Sequence, residues 1–298
     1  MVARRTAGGG VGELQRSMER FETYNDGFIL PDSRLVIRLD AHRFGDWSGL
    51  EDEYPCGPRI AKVFHETAIN LMTSSFRVKV AFVQGDEISL FLDPAENSNP
   101  LRRSSIISAF SSAAAVHFLK TSGLAATFNT RLSELPSADR LLEYFMWQRR
   151  YCYRNAITIA LRRALLSQGR SPSEADQAFH GVPEEQRISL LEQLGIPLSS
   201  IPSTTLKGAF FGWRSTKDHD NHLTIASFLN LPDDDDEFIK LVSRFTGFNV
   251  SQRAKPPAPS PPNTTTTSAP PPQKAPAEHK PNRKTNVSVF KVSSSRRS

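Results

Sequence analysis

Cysteine is nearly missing from this chain: Cys56 and Cys152 are the only two in 298 residues. That is too few for a disulfide framework or a cysteine-ligated zinc site, and it suits a reducing compartment. No apolar run reaches bilayer-spanning length. The first residues, Met1-Val2-Ala3-Arg4-Arg5-Thr6-Ala7 followed by three glycines, lack the apolar stretch of a secretory signal. The expectation is a soluble, intracellular (cytoplasmic) protein with no membrane partner. Acidic residues are scarce in one region only. Residues 251–298 hold nine of the 37 Lys and Arg but one of the 31 Asp and Glu, which leaves the first 250 residues at about −2 although the whole chain is +6. The positive charge belongs to a tail that can retain a polyanion nonspecifically, and it does not point to a catalytic site.

That tail is also poor in large apolar residues before Val287 and rich in Pro, Thr, Ser and Lys. Such a segment cannot bury enough surface to offset its ordering entropy and is expected to be disordered. The body before it reads as alternating elements. Leu14 to Tyr24 reads as a short helix, Leu35 to Leu39 as a buried strand, and Arg59 to Ser74 as an amphipathic helix with Ile60, Val63, Phe64, Thr67 and Leu71 on one face. Val78 to Val83 and Ile88 to Leu92 read as a hairpin across Gln84-Gly85-Asp86-Glu87. Leu101 to Lys120 is helical, Ala125 to Leu132 a strand, and Ala138 to Leu166 a long helix or helix pair. Strand, helix, hairpin, helix, strand, helix is the order of a ferredoxin-like α+β sheet with helices on one face, the architecture of polymerase palms. The expected organisation is a flexible start over 1–13, the palm over 14–213 with a small helical appendage from about 167, and a polar and helical segment over 214–250.

Within this frame two aspartates, Asp40 and Asp86, each stand where a β-branched, apolar run gives out. If their strands are neighbours, both carboxylates project from one edge of the sheet. Two such groups suit magnesium, which prefers hard oxygen ligands and is commonly held by one or two carboxylates with substrate phosphates completing its shell. The chemistry pointed to is that of nucleotides. Taken alone, each aspartate would more often cap a turn or join an ion pair.

Leu39-Asp40-Ala41-His42-Arg43-Phe44 and Gln84-Gly85-Asp86-Glu87-Ile88-Ser89 resemble the Asp-Gly-Arg-x-Phe and Gln-Ser-Asp-Glu-Tyr-Ser motifs of the tRNA-histidine guanylyltransferase family, including its broader branch of 3′–5′ polymerases. Further matches follow in order: Arg102-Arg103-Ser104-Ser105, Ala126 to Arg131 with Leu135-Pro136, Glu143 to Arg149, Cys152 with Asn155-Ala156, and Thr205-Leu206-Lys207-Gly208. Each motif is weak, but together they run in register over about two hundred residues. The resemblance implies a nucleotidyltransferase in which Asp40, Asp86 and the Ala41 carbonyl hold two magnesium ions. The backbone from Ala41 through His42, Arg43 and Phe44 to Gly45, with Gly85 and Arg103, would bind the nucleotide. The implied reaction joins the 3′-hydroxyl of an incoming GTP to an activated 5′-phosphate of tRNA, with pyrophosphate or AMP released and ATP as a possible second substrate. A homotetramer is the assembly the family suggests.

Departures from the motifs qualify these implications. Ala41 replaces a glycine, and its carbonyl can serve a metal only if the backbone avoids positive φ. Gly85 replaces a serine, Ile106 stands where a lysine is common, Asn129 replaces an aspartate, and Tyr151 and Tyr153 replace Asp and His in the stretch that recognises the tRNA. Catalysis is expected to be retained, with a substrate choice broader than or different from histidine tRNA. The run Tyr144, Phe145, Trp147, Arg149, Arg150, Tyr151, Tyr153 and Arg154 suits a mixed role, partly a buried stripe and partly stacking and phosphate contacts to RNA. His219 and His222 read as part of a polar loop, Asp233 to Glu237 as a helix start, and both cysteines as inert. Two other functions fit the palm: a diguanylate-cyclase-like nucleotidyl cyclase, suggested by Gly85-Asp86-Glu87, and an RNA-binding palm that has lost activity.

Overall fold

The computed structural model describes residues 27–44, 57–97, 99–215 and 223–248. The expected helix over Leu14 to Tyr24, His219 and His222, and the basic tail lie outside these residues. Strand β1 (Arg34–Ala41) leads into helix α1 (Pro58–Met72), hairpin strands β2 (Val78–Gln84) and β3 (Glu87–Leu92), helix α2 (Arg103–Ser122) and strand β4 (Phe128–Leu135). The long helix α3 (Ala138–Ser167), short helices α4 (Pro172–Phe179), α5 (Glu184–Gln193) and α6 (Ser203–Lys207), strands β5 (Ala209–Ser215) and β6 (Leu223–Phe228), and helix α7 (Asp235–Thr246) follow among the described residues. The strands form one antiparallel sheet in the order β4-β1-β3-β2-β5-β6. Its first four strands have the ferredoxin-like order that the element sequence implied.

Strand side chains alternate between faces, so parity decides which core each residue enters. Leu35, Ile37, Leu39 and Ala41 face α1 and α2 and join Phe64, Phe110, Phe118 and Phe128 in one apolar layer. Phe64 meets Phe44, Phe118 and Phe128 at ring distances of 5.5, 5.1 and 6.3 Å. Val36, Val80, Phe82 and Phe91 point the other way and pack under the start of α3 and under α7. The expectation of helices on one face is thus corrected: α1 and α2 cover one side, α3 and α7 the other. The physical reason is that the central strands are apolar at both parities, and a strand buried on both faces needs a layer on each.

Helix α3 joins two cores. Ser137 caps it by accepting the backbone N–H of Arg140 at 3.3 Å. Its first turns pack on the sheet through Leu141, Leu142, Phe145 and Met146. Its last turns bury Ile157, Leu161 and Leu165 against Ala175, Phe179 and Leu191 of α4 and α5. The stretch expected to be a helical appendage to residue 213 returns to the sheet at Ala209, where β5 pairs with β2. Gly208 makes that return possible. Its φ is +78°, and a Cβ there would sit 2.5 Å from the Phe82 ring and 2.9 Å from the Val83 carbonyl. Arg149 fastens α7 to α3: its guanidinium donates to the carbonyls of Pro232, Asp233 and Asp234, pairs with Asp235 at 3.4 Å, and lies over the Phe238 ring. Among the described residues, no helix is long and apolar enough to cross a membrane.

Candidate active site

Strands β1 and β3 are neighbours, and this brings the two aspartates together. Asp40 stands opposite Glu87 on β3 and opposite Asn129 on β4. Asp86 is the residue just before Glu87, in the two-residue turn joining β2 to β3. Gly85, the first turn residue, has φ +55° and is the turn's one residue at positive φ, the pattern that a type II′ hairpin asks of its first central position. A serine at this position would be strained, so the glycine is a requirement of this turn. The Ala41 N–H donates to the Asp86 carbonyl at 3.2 Å, which ties the end of β1 to the turn.

The carboxylates differ in their surroundings. Asp40 Oδ2 accepts from Asn129 Nδ2 at 3.1 Å, and the same amide nitrogen is 3.3 Å from His42 Nδ1. Asp40 Oδ1 is buried and has no hydrogen-bond partner. Burial pushes the Asp86 carboxyl up to about 6; its own backbone hydrogen bond opposes this, and the nearby charges of Glu87 and Asp40 add to it. A buried acceptor without a donor, beside a second acid whose charge is disfavoured by burial and by other acids, is the situation a divalent cation relieves. Among the described residues there is no cluster of three or more His, Cys, Asp or Glu side chains able to hold a metal. Magnesium does not need one where phosphate oxygens and water complete its shell, and the oxygen donors of Asp40 and Asp86 fit that role. Ala41 is not among the residues at positive φ, so its carbonyl stays compatible with ligation; the strained position of the loop is Arg43, at φ +54°. His42 is held by its N–H, which donates to the Thr127 carbonyl at 2.8 Å. Phe44 is buried against Phe64 and anchors the loop in the α1 layer. Gly45 lies outside the described residues.

Arg103 is not brought to this cluster. Its Nε donates to Glu134 Oε1 at 2.6 Å. Glu134 pairs with Leu35, five residues before Asp40 on β1, which is roughly 17 Å along the strand. By parity Glu134 also faces α2, whereas Asn129 faces α3 with Asp40. The expectation that Arg103 contacts the triphosphate is corrected accordingly: the residue starts a helix at the far end and opposite side of the sheet, and its guanidinium is occupied by Glu134.

A second set of polar residues, missed as a group in the sequence, lies on the face that Asp40 shares. Alternation counted from Asp86 would put Glu87 on the opposite face, but register places it beside Asp40. Gln84 Nε2 donates to Glu87 Oε2 at 2.9 Å and to Gln148 Oε1 at 2.7 Å, and Gln148 Nε2 donates to the Tyr144 hydroxyl at 2.8 Å. Tyr144 is 3.3 Å from Ser89 Oγ, and Arg38 is 3.9 Å from Glu87. The signal that could have found them is parity: Arg38 precedes Asp40 by two on β1, Glu87 and Ser89 are two apart on β3, and all are polar within otherwise buried strands. Gln148 is fully buried and would be costly there without these partners.

Residues 15–143 match the family model of the Thg1 proteins, described as tRNAHis guanylyltransferase. The chain carries a domain of this family. The tRNA(His) guanylyltransferase of Debaryomyces hansenii is 26% identical over 208 residues, 64% of this chain and 77% of the relative. The probable tRNA(His) guanylyltransferase of Drosophila melanogaster is 27% identical over 195 residues, 61% of this chain and 68% of the relative. The fold resembles the tRNA(His) guanylyltransferase of Saccharomyces cerevisiae, with TM-score 0.58 and 19% identity over 72% of this chain and 96% of that one. It also resembles a bacterial Thg1-like protein solved in complex with ATP, with TM-score 0.61 and 18% identity over 79% of this chain and 98% of that one.

The structure gives several of the motif positions, matched and departing alike, a structural role. Asn129, in place of the aspartate, supplies the N–H that Asp40 accepts. Cys152 is buried, its thiol donates to the Thr205 carbonyl at 3.3 Å, and burial pushes it up to about 12, so it has no nucleophilic character. Lys207 pairs with Asp233 at 2.6 Å, and Asp234 caps α7 by accepting from Glu237 N–H at 2.9 Å. Tyr153 packs half-buried into the α3, α4 and α5 core, whereas Trp147 and Tyr151 remain on the surface.

Proposed function

We propose that this chain is a magnesium-dependent nucleotidyltransferase that adds a nucleotide, with GTP preferred, to the 5′ end of tRNA in the 3′–5′ direction. The observation that carries the reading is the buried, unpartnered Asp40 Oδ1 beside Asp86, in a domain of the Thg1 family. Asp40, Asp86 and the Ala41 carbonyl are the groups that would hold the metal. When bound, magnesium supplies charge neutralisation for the phosphates and the departing pyrophosphate or AMP.

The chain's own residues do the positioning. Asn129 fixes one oxygen of Asp40, leaving the other directed to a ligand. The Ala41-to-Asp86 hydrogen bond keeps strand end and turn in register, and Gly85 gives the turn its shape. His42, Arg43 and Phe44 form the loop whose backbone would approach the nucleotide phosphates, with the buried Phe44 ring as its anchor. Names of relatives and the ATP and GTP complexes of bacterial Thg1-like proteins support nucleoside triphosphates and tRNA as the substrate classes.

The test is addition to a tRNA lacking its first nucleotide, using purified full chain and each labelled nucleoside triphosphate in turn. One added nucleotide, dependent on both RNA and a divalent cation and lost with Asp86→Asn, is expected. A labelled product formed from GTP without RNA would assign the palm to a cyclase instead, and RNA affinity without addition under any condition would assign it to binding alone.

A further inference from the structure

The strongest feature that the carboxylate site leaves unused is an aromatic strip on α3. We propose that Trp147 and Tyr151 form a stacking platform for unpaired bases at the 5′ end of the RNA substrate; this subsite rests on the transferase reading above. The two side chains are one helical turn apart and so share a face. Their ring centroids lie 6.2 Å from each other, tilted by 33°. Trp147 is 45% exposed and Tyr151 37%, whereas Phe145 on the same helix is wholly buried.

Trp147 is placed by its neighbours rather than left to rotate. The Arg38 guanidinium lies 5.7 Å from the ring centroid, and Tyr144 meets it edge-on at 5.5 Å. Arg38 itself is oriented by Glu87, so the platform is built from the strand pair that carries the aspartates. Tyr151 stands close enough to Glu87 and Asp86, and to Arg38 and Arg154, for charges of both signs to act on its hydroxyl. Two exposed aromatic faces offer a base a stacking surface, whichever base it is.

The strip continues beyond the two rings. Tyr151 opens into a cleft of about 530 Å³ lined also by Arg154, Asn155, Thr158 and Arg187. From Trp147 to Thr158 the helix advances roughly 16 Å, against about 3.4 Å per stacked base in one strand. Aromatic faces near the acids and arginines farther along suit a short single strand whose bases stack first and whose phosphates follow.

The test uses the full chain with magnesium and a tRNA lacking its first nucleotide, carrying 2-aminopurine as its 5′-terminal base. Wild type is expected to quench the 2-aminopurine emission. Trp147→Ala and Tyr151→Ala should each relieve the quench and weaken RNA binding by about 5–150-fold, the range of one lost stacking partner. Trp147→Phe should retain most affinity, and binding of a fluorescent GTP analogue should be unchanged in all three. RNA affinity and quench unaltered in both alanine variants would overturn the platform, as would equal losses of RNA and GTP-analogue binding. Thermal melts of the variants separate lost stacking from lost folding, with Trp147→Phe as the folded control. The outcome is separable from the parent reading: quenching by wild type that adds no nucleotide keeps the platform and removes the transferase.

Discussion

The two faces of the sheet are made by the same strands and have opposite characters. Toward α1 and α2, Leu35, Ile37 and Leu39 continue into a layer of phenylalanines, with polar pairs such as Arg103–Glu134 only along the outer strand β4. Toward α3 and α7 the layer is apolar only at one end, through Val36, Val80, Phe82 and Phe91, and turns polar at the other, through Arg38, Asp40, Gln84, Glu87 and Asn129. A continuous apolar layer supplies cohesion. The polar end is the costlier arrangement, because its groups must find partners in a half-dry setting. All but a few do; Asp40 Oδ1 is among the exceptions. The molecule thus concentrates stability on one face and leaves an unfinished valence on the other.

Substitutions on the two faces should separate these roles. The largest effect is expected at the polar end: Asp40→Asn should lower the rate of nucleotide addition by about a thousand-fold or more while the far-ultraviolet circular dichroism stays that of wild type. On the opposite face, Phe64→Ala should cost about 3–5 kcal/mol in urea unfolding, with addition per folded molecule unchanged at low temperature. Equal loss of activity per folded molecule in both would erase the distinction. Gly208→Ala tests the turn that returns the chain to the sheet, and should destabilise by about 1–3 kcal/mol because it adds a Cβ at positive φ against Phe82.

A smaller effect, of opposite sign, comes from Asp86. Its native carboxyl titrates at about 6 against a reference of 3.8, so the folded chain binds a proton more readily than the unfolded one. Stability without metal therefore falls as pH rises between these values, and the penalty is complete above the higher one. Asp86→Asn should raise the melting free energy in chelator by about 1–3 kcal/mol at pH 7.5, a gain that disappears below pH 4. Saturating magnesium and GTP should reverse the ranking in favour of wild type. The smallest change is expected for Arg103→Ala, which removes a partly exposed ion pair remote from the aspartates: the urea midpoint barely moves, and addition stays within about threefold of wild type.

The central four strands and their order were legible because their periodicity and turn residues are strong: Gly85 marks the hairpin, and Gly123 at φ +75° ends α2. The meeting of Asp40 and Asp86 followed from that order. Less legible was what chain-distant contacts decide. Strand β5 carries a glycine and three aromatics in Ala209–Ser215 and gains its identity from pairing with β2. Strand β6 is largely exposed, and without β5 as a neighbour its pattern is weak. Arg103 has the composition of an anion contact, yet its partner Glu134 is 31 residues away in sequence. Glu87 shows the same limit: counted from Asp86 it alternates away, but Asp86 belongs to the turn, and only the register with β1 reveals the face it shares with Asp40.

The most direct measurement is anomalous diffraction from crystals of the chain grown with manganese and a non-hydrolysable GTP analogue. The account predicts metal density between the Asp40 and Asp86 carboxylates, with Asp40 Oδ1 among the ligands and phosphate oxygens completing the shell. Manganese and nucleotide bound elsewhere, with Asp40 Oδ1 still unliganded, would contradict it.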